Sequence, residues 1–242
     1  MRAALKTGQL IALEGIDGTG KGTQARLLVE ALERRGQSVA FFSFPAYRQT
    51  FAGALIGDFL DGKLGDPKGI DSRLTATIYA LDRFELRDEL RQALMAGQTI
   101  VCDRYVGSNL AHQVARARPG QRKAVRSFIE ALEFSVLGLP RADLTIYLDM
   151  PVGLAQRRVL TKAARQYTKK RLDANEADLC HLRGALAEYR HQSLAPDWRR
   201  IATTKGRRER TRDEIHADIL AAIDSALPRP DSHCSPKRPS TP

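Results

Sequence analysis

The chain alternates short apolar runs with longer stretches in which apolar residues recur every three or four positions. Short apolar runs bounded by glycine, proline or acidic residues are typical of buried strands, and the longer pattern is typical of helices with one apolar face. The pattern predicts five strands, at residues 9–14, 38–44, 99–103, 144–148 and 198–203. Because strands alternate with helices, we predict an α/β fold with a parallel sheet covered by helices on both faces.

The first helix is expected directly after the first strand, since Ala25, Leu28 and Leu32 share one face until Gly36 ends the pattern. A short helix is expected at residues 55–60. Two more helices should follow the fourth strand.

The clearest helix is predicted over residues 72–96, ended by Gly97. Another helix is expected to begin near Ser108, because serine is a good N-cap residue. The core-facing stripe of the long helix is expected to be Leu74, Ile78, Leu81, Leu86, Leu90 and Leu94.

A further amphipathic helix is predicted over residues 121–137. Its apolar stripe suits either the protein core or a contact with a second copy of the chain. The stripe consists of Val125, Phe128, Ile129 and Leu132.

The composition, 242 residues of which 43% are hydrophobic, fits one sizeable domain. We predict a domain over residues 1–226 and a disordered tail over 227–242, which is rich in proline and serine. The three cysteines show no metal-ligand spacing and suit reduced thiols, which favours a cytoplasmic location. No stretch approaches the roughly 18 apolar residues of a membrane span, so we expect no membrane partner.

The net charge of +11 either serves solubility or indicates an anionic partner, which would be a nucleic acid or a phosphorylated small molecule. Seven lysines and arginines, and no acidic residue, lie between Pro151 and Leu172. This segment suits RNA binding, although only Tyr167 adds an aromatic ring to it. It also suits a basic lid, at about residues 155–173, that closes positive charge over a phosphoryl group in transfer. The lid cation candidates are Arg157, Arg158, Arg165, Lys169 and Arg171.

A glycine-rich segment after the first strand has the form of a phosphate-binding loop, G-x-x-x-x-G-K-[ST], with one departure. Gly22 stands where the pattern has a hydroxyl residue, and the hydroxyl follows one position later at Thr23. Glycines let backbone amides converge on a polyphosphate, the next helix adds its positive end, and Lys21 reaches the β- and γ-phosphates. We therefore predict a P-loop NTPase fold with ATP bound by Gly15, Ile16, Asp17, Gly18, Thr19, Gly20, Lys21, Gly22 and Thr23.

The third strand ends in Asp103, followed by Arg104 and Tyr105. Ligands of parallel sheets bind beyond the carboxyl ends of the strands, where the glycine-rich loop also lies. An acid at this edge suits Mg²⁺ or its waters, and an arginine beside it suits a second phosphate. The alternative is an ordinary surface ion pair, which the neighbouring loop disfavours.

Two further groups of residues suit a base or a sugar. Tyr79 and Arg83 are four residues apart on one helical face, which suits a ring that stacks on a base and a cation that bonds its edge. For a tyrosine considered alone, a place at the edge of the core is the more common role. Asn109, His112 and Gln113 share another helical face, which is either a recognition surface or simply a wet one.

Together these residues resemble the thymidylate kinase family over roughly residues 9–225. The markers occur in the family's order, as EGIDGTGKGTQ, FPAY, YALDR, DRYVGSNLAHQ, GLPRADLTIYLDM and LDANE. The resemblance implies phosphoryl transfer from ATP to dTMP, giving dTDP and ADP, with Mg²⁺ bound alongside ATP. It also implies a homodimer.

Residue roles carry over to the matching positions. The resemblance implies that Asp17 acts on magnesium and on the acceptor phosphate, while Arg104 holds that phosphate. With Lys21 and Asp103 these form the expected catalytic set, and Asp17, Asp103 and Thr23 are the expected metal residues, in part through water.

The acceptor pocket also follows from the resemblance. Tyr79 takes the place of the aromatic that stacks on thymine, Arg83 that of the arginine facing the base, and Glu176 that of an acid near the sugar and magnesium. The expected substrate-binding residues are Phe44, Tyr47, Tyr79, Arg83, Arg104, Asn109, Gln113 and Glu176.

The chain departs from the family at two glycines. Gly22 excludes a direct hydroxyl ligand to magnesium at that position, and Gly18 stands where some thymidylate kinases carry the transfer arginine, so that cation is expected from the lid. Two alternatives remain: a kinase of the same fold with another nucleoside monophosphate or a deoxynucleoside as acceptor, and a non-catalytic nucleic-acid-binding P-loop protein.

Overall fold

The computed structural model describes residues 8–65, 69–161, 178–206 and 208–227. Five parallel strands form the central sheet in the order β2-β3-β1-β4-β5. This topology confirms the predicted parallel sheet and all five predicted strands. The strands are β1 Gln9–Glu14, β2 Val39–Ser43, β3 Thr99–Asp103, β4 Leu144–Asp149 and β5 Trp198–Ala202.

Helices cover both faces of this sheet, and a small antiparallel hairpin of β6 Thr204–Lys205 and β7 Arg208–Glu209 follows β5. The helices are α1 Lys21–Arg34, α2 Phe51–Leu60, α3 Ser72–Glu85, α4 Arg87–Met95, α5 Val106–Arg116, α6 Arg122–Glu130, α7 Val152–Leu160, α8 Leu179–Gln192 and α9 Arg212–Ala226.

The core lies on both sides of β1, whose side chains alternate between two apolar clusters. Leu10 and Ala12 pack toward α4, α5 and α6, while Ile11 and Leu13 pack toward α1 and α9. Strands buried on both faces are typical of parallel sheets under helices. Within the described ranges, no helix is both long and apolar enough to cross a lipid bilayer.

The single helix predicted over residues 72–96 is wrong, because the chain breaks at Leu86 into α3 and α4. The predicted stripe is also wrong at two of its positions: Leu74 is 63% exposed and Leu81 is 40% exposed. Leu90 and Leu94 are buried in the core as predicted. The two helices therefore pack separately, and α3 buries a different face, which includes polar residues of the site.

The start of α5 also differs from the prediction, since the helix begins at Val106 and Ser108 lies in its first turn. Ser108 does not cap the helix, because its hydroxyl donates to Glu14. The predicted helix at 121–137 is present as α6, continued by a π-helix over Ala131–Val136.

The apolar stripe of α6 is divided. Val125 and Ile129 are buried in the core, whereas Phe128 remains 36% exposed. The stripe therefore serves the core with two of its members and leaves an aromatic ring at the surface.

Candidate active site

The phosphate loop joins β1 to α1 at the carboxyl edge of the sheet, as predicted. Within it, the Lys21 ammonium donates to the Ile16 carbonyl (2.8 Å), and so does the Thr19 hydroxyl (3.0 Å). Lys21 is buried, and burial, followed by the nearby Arg104 charge, lowers its pKa to about 8. The loop thus holds a cation and the positive end of a helix at one point, which suits an anionic ligand.

Gly18 lies against α7. A Cβ atom at this position would sit 2.1 Å from the Ala155 carbonyl oxygen, and its φ of +87° disfavours any other residue. No arginine therefore fits at position 18.

Gly22 lies against Asp103. A Cβ atom here would sit 2.8 Å from Asp103 Oδ2, so glycine lets the carboxylate approach the first turn of α1. Asp103 Oδ1 is buried and has no hydrogen-bond partner within the described part of the chain. Thr23, which the sequence analysis named with Asp103 as an expected metal residue, is exposed.

Arg104 joins the loop to the acceptor side of the site. It is the one non-glycine residue of the described ranges with a left-handed backbone (φ 69°). Its Nη1 donates to the Gly15 carbonyl (3.1 Å) and to Ser108 Oγ (3.0 Å), and its Nη2 donates to Asp17 Oδ1 (2.6 Å). These hydrogen bonds hold the guanidinium beside the phosphate loop. They also maintain the strained backbone of Arg104, and such strain is common at functional sites.

Sequence reasoning missed Glu14, the last residue of β1. It is fully buried, and its carboxylate accepts from the backbone N–H of Tyr105 (2.8 Å) and Ser108 (2.9 Å) and from the hydroxyls of Ser108 (2.6 Å) and Tyr189 (3.1 Å). Burial raises the pKa of Glu14. The signal was available, because an acid that ends an apolar strand is unusual unless its charge has partners.

A cleft opens beside Arg104 and brings together seven of the eight predicted substrate-binding residues; Glu176 lies outside the described residues. The cleft is lined by Asp17, Phe44, Pro45, Tyr47, Leu60, Tyr79, Arg83, Arg104, Ser108, Asn109, His112 and Gln113.

The polar face of α5 is buried, so the interpretation as a wet surface is wrong. Asn109 is 2% exposed and Gln113 is 1% exposed. The Asn109 Nδ2 group donates to the Ala76 carbonyl (3.0 Å) and to Glu133 Oε1 (2.8 Å). Asn109 Oδ1 and Gln113 Oε1 are buried without a hydrogen-bond partner in the described chain. Both residues line the cleft, so two buried acceptor oxygens of its lining residues lack a partner in the described chain.

Arg83 is buried in the same wall and pairs with Glu133, a residue that sequence reasoning missed. Its Nε donates to Glu133 Oε2 (2.9 Å), and its Nη2 donates to Glu133 Oε1. Glu133 is fully buried in the π-helix that continues α6. No sequence signal marks it, because its partner on α3 is 50 residues away.

His112 completes this wall. Its Nδ1 lies 3.0 Å from His181 Nε2 on α8. Burial, followed by the neighbouring His181, holds the pKa of His112 well below its usual value, so the ring is neutral near pH 7.

The lid candidates divide into two groups. Arg157 is exposed on α7, while Arg158 pairs with Glu209 (2.7 Å). Arg165, Lys169 and Arg171 lie outside the described residues.

Comparisons with known proteins place the chain in a family. A family model for thymidylate kinase matches residues 13–189. A thymidylate kinase of Mycobacterium tuberculosis (strain ATCC 25618 / H37Rv) is 32% identical over 191 residues, which cover 78% of this chain and 89% of the relative. A probable thymidylate kinase of Pyrococcus abyssi is 31% identical over 222 residues, which cover 91% of this chain and 98% of the relative.

The fold has a solved counterpart. A thymidylate kinase structure from Candida albicans matches with a TM-score of 0.66 and 22% identity, covering 90% of this chain and 92% of that one. This likeness establishes the shared α/β fold. The family assignment follows from the family model and the relatives above: the chain belongs to the thymidylate kinase family.

Proposed function

We propose that the enzyme transfers the γ-phosphoryl group of ATP to dTMP, giving dTDP and ADP. The family assignment supports dTMP, and one structural observation supports a base with a ring N–H donor: Asn109 and Gln113, which line the cleft, have buried acceptor oxygens without a partner in the described chain. They lie in the same cleft as Arg104, which is fixed beside the phosphate loop. An acceptor nucleotide thus fits with its phosphate at Arg104 and its base against α5.

The donor pattern of the base follows from the Asn109 amide. Its Nδ2 hydrogens are used by Ala76 and Glu133, so its Oδ1 is the atom left for a ligand. Thymine offers a ring N3–H donor to such an oxygen, whereas cytosine presents an N3 acceptor at the same place. Burying an acceptor against an acceptor leaves both unpaired, which strongly disfavours the wrong base.

The phosphates are handled by three groups. Loop amides and Lys21 bind those of ATP, and Arg104 binds that of dTMP, with Asp17 holding the guanidinium in place. A phosphate monoester dianion is itself a nucleophile, so attack in line on the γ-phosphoryl requires positioning and no covalent enzyme intermediate.

The residues present fit Mg²⁺ bound together with ATP. Asp103 has a buried Oδ1 without a hydrogen-bond partner in the described chain, its Oδ2 lies beside Gly22, and Asp17 lies on the neighbouring loop. Among the described residues no group of three or more acidic, histidine or cysteine side chains forms a complete metal site, so ATP phosphates and water would supply the other ligands. Mg²⁺ bound at this place would neutralise charge on the phosphate oxygens. Asp17 and Asp103 would hold it, partly through water, with Thr23 as a further candidate.

We propose that the transfer cation comes from the lid at about residues 155–173, since Gly18 admits no side chain. The candidates remain Arg157, Arg158, which pairs with Glu209, Arg165, Lys169 and Arg171, and Glu176 remains a proposed neighbour of the sugar. The domain over residues 1–226 and the tail over 227–242 likewise stay predictions, as does the cytoplasmic location.

We also propose a homodimer. Apolar side chains remain exposed on neighbouring helices, with Leu74 and Leu81 on α3 and Phe128 on α6. Contact with a second copy would cover them. A nucleic-acid-binding role gains no support, because the polar residues of the cleft are buried rather than arrayed on a surface.

The test is ADP formation from ATP with dTMP, dUMP, dCMP, CMP or no acceptor. We expect kcat/KM for dTMP to exceed that for dCMP by at least about 100-fold, because the cytosine ring leaves buried acceptors unpaired. Turnover with dCMP or CMP but none with dTMP would refute the acceptor and keep the kinase class. ATP binding without ADP formation from any acceptor would instead favour a non-catalytic protein.

A further inference from the structure

We propose that Glu133 is a positioning residue for base selection: it fixes the Asn109 amide and the Arg83 guanidinium, and thereby makes the pocket select a base with a ring N–H donor. The inference rests on the proposed acceptor, dTMP, and assigns part of its recognition to a residue beyond the predicted substrate-binding set.

The first step is the bonding of Glu133 itself. Its side chain is fully buried, and its carboxylate accepts from Arg83 Nε (2.9 Å), from Arg83 Nη2 and from Asn109 Nδ2 (2.8 Å). A buried carboxylate persists only when such partners compensate its desolvation. All three hydrogen bonds go to two residues that line the cleft.

The second step is the effect on Asn109. An amide with two acceptors on its nitrogen has one orientation, with Oδ1 left for the ligand. Ala76 supplies one acceptor through its backbone and Glu133 supplies the other. Without the Glu133 acceptor, the amide loses half of this restraint and is able to turn its nitrogen toward the base. A nitrogen there would donate to cytosine N3 and repel thymine N3–H.

The third step is the effect on Arg83. Two of its guanidinium nitrogens are held by Glu133, and the side chain is only 2% exposed. The two-pronged pair fixes the plane of the guanidinium in the pocket wall. One carboxylate thus fixes two recognition groups, which come from α3 and α5.

The π-helix is what brings Glu133 to this place. It follows α6 over Ala131–Val136 and directs Glu133 inward, while Val136 at its end is 73% exposed. Short π-helical segments occur often at functional sites.

A purely structural role for the Arg83–Glu133 pair makes a different prediction. Loss of such a pair would lower stability and would leave the preference among bases unchanged. The ratio of kcat/KM for dTMP to that for dCMP therefore separates the two roles.

The test variant is Glu133→Gln, which keeps the volume of the side chain but replaces one acceptor oxygen by a donor. We expect kcat/KM for dTMP to fall about 10- to 100-fold and the dTMP-to-dCMP ratio to fall at least about tenfold. Equilibrium binding of dTMP and dCMP should show the same loss of preference, and the KM for ATP should stay within about twofold of wild type.

A matched control is Glu188→Gln. Glu188 is 8% exposed and also accepts two-pronged bonds from an arginine, Arg126 (2.7 and 3.0 Å), but it lies outside the cleft. We expect Glu188→Gln to lower the melting temperature and to leave the dTMP-to-dCMP ratio within about twofold of wild type.

Three outcomes decide the matter. If wild type does not phosphorylate dTMP, the proposed function fails, and the inference, which rests on that acceptor, is overturned with it. If wild type prefers dTMP and folded Glu133→Gln keeps the wild-type ratio, the inference is overturned. If Glu133→Gln is unfolded by circular dichroism, Glu133→Asp, which keeps the charge on a shorter side chain, is measured; a reduced ratio supports the inference and an unchanged ratio overturns it.

Discussion

Substitution of Gly22 by alanine tests the contact between the phosphate loop and Asp103. The added Cβ would lie 2.8 Å from Asp103 Oδ2, whereas ordinary contact begins near 3.4 Å, so the carboxylate must retreat by about 0.6 Å. Asp103 is only partly buried, and its carboxylate is the end of a flexible side chain, so the carboxylate is able to move. The variant should therefore fold while its carboxylate is displaced from the loop.

Gly153→Ala is the matched control. Gly153 is the second residue of α7, as Gly22 is the second residue of α1, but a Cβ at Gly153 meets nothing within 4 Å. Replacing a helical glycine by alanine stabilises by roughly 0.5–1 kcal/mol. The free energy of unfolding of Gly153→Ala should rise by this amount. In Gly22→Ala the rise should be cancelled, because crowding against the flexible Asp103 side chain costs about 1 kcal/mol. The two free energies of unfolding should therefore differ by about 1 kcal/mol.

The functional readout is the magnesium dependence of ATP binding and turnover. Mg²⁺ requires near-ideal octahedral geometry, so a displaced carboxylate should raise the Mg²⁺ concentration for half-maximal ATP affinity about tenfold, equivalent to ~1.4 kcal/mol. Gly153→Ala should keep the wild-type profile. Equal stability and equal magnesium profiles in the two variants would refute the proposed contact of Asp103 with the metal shell.

Three further predictions follow from single contacts. Arg104→Ala should lower kcat/KM for dTMP about 100-fold in steady-state kinetics while the calorimetric Kd for ATP stays near wild type, because the guanidinium serves the acceptor; near-normal kinetics would remove it from the site. Since burial lowers the pKa of Lys21 to about 8 from 10.5, its charge opposes folding below pH 8 and that cost fades as pH rises toward 10.5. Above that pKa Lys21 loses the charge that attracts phosphates, so ATP affinity should weaken between pH 7 and 9.5. A Lys21→Met variant with the same pH profile of ATP affinity would contradict this. Thr211→Ala should lower stability by ~1 kcal/mol in thermal unfolding with turnover unchanged, because Thr211 and Glu214 form a capping box at the start of α9; an unchanged melting temperature would speak against it.

The pattern of apolar residues predicted the strands correctly, because burial on both faces alone decides their sequence pattern. Buried parallel strands read as apolar runs, and all five strands lie where the pattern places them. The same rule failed over residues 72–96, because an apolar stripe does not reveal whether it faces the core or the surface. Leu90 and Leu94 reach the core, but Leu74 and Leu81 lie outside, and the buried face of α3 carries Arg83.

The family resemblance predicted eight substrate-binding residues, and the structure brings seven of them into one cleft. It assigned no role to two buried carboxylates that hydrogen-bond residues of the cleft. Glu14 and Glu133 are both fully buried, and each bonds groups far away in the sequence: Glu14 bonds Tyr105, 91 residues on, and Glu133 bonds Arg83, 50 residues back. No local pattern records such pairs.

The sequence by itself determined the phosphate loop, because strand, glycines, lysine and helix start are consecutive and their chemistry is local. Only the tertiary structure shows why the two positions at which the loop departs from the family are occupied by glycine. Gly18 is required because the Ala155 carbonyl of α7 occupies the space of a side chain, whereas Gly22 lets the Asp103 carboxylate approach from β3 without crowding. These restrictions arise from atoms that folding brings within 3 Å, and a sequence specifies such distances only through the whole fold.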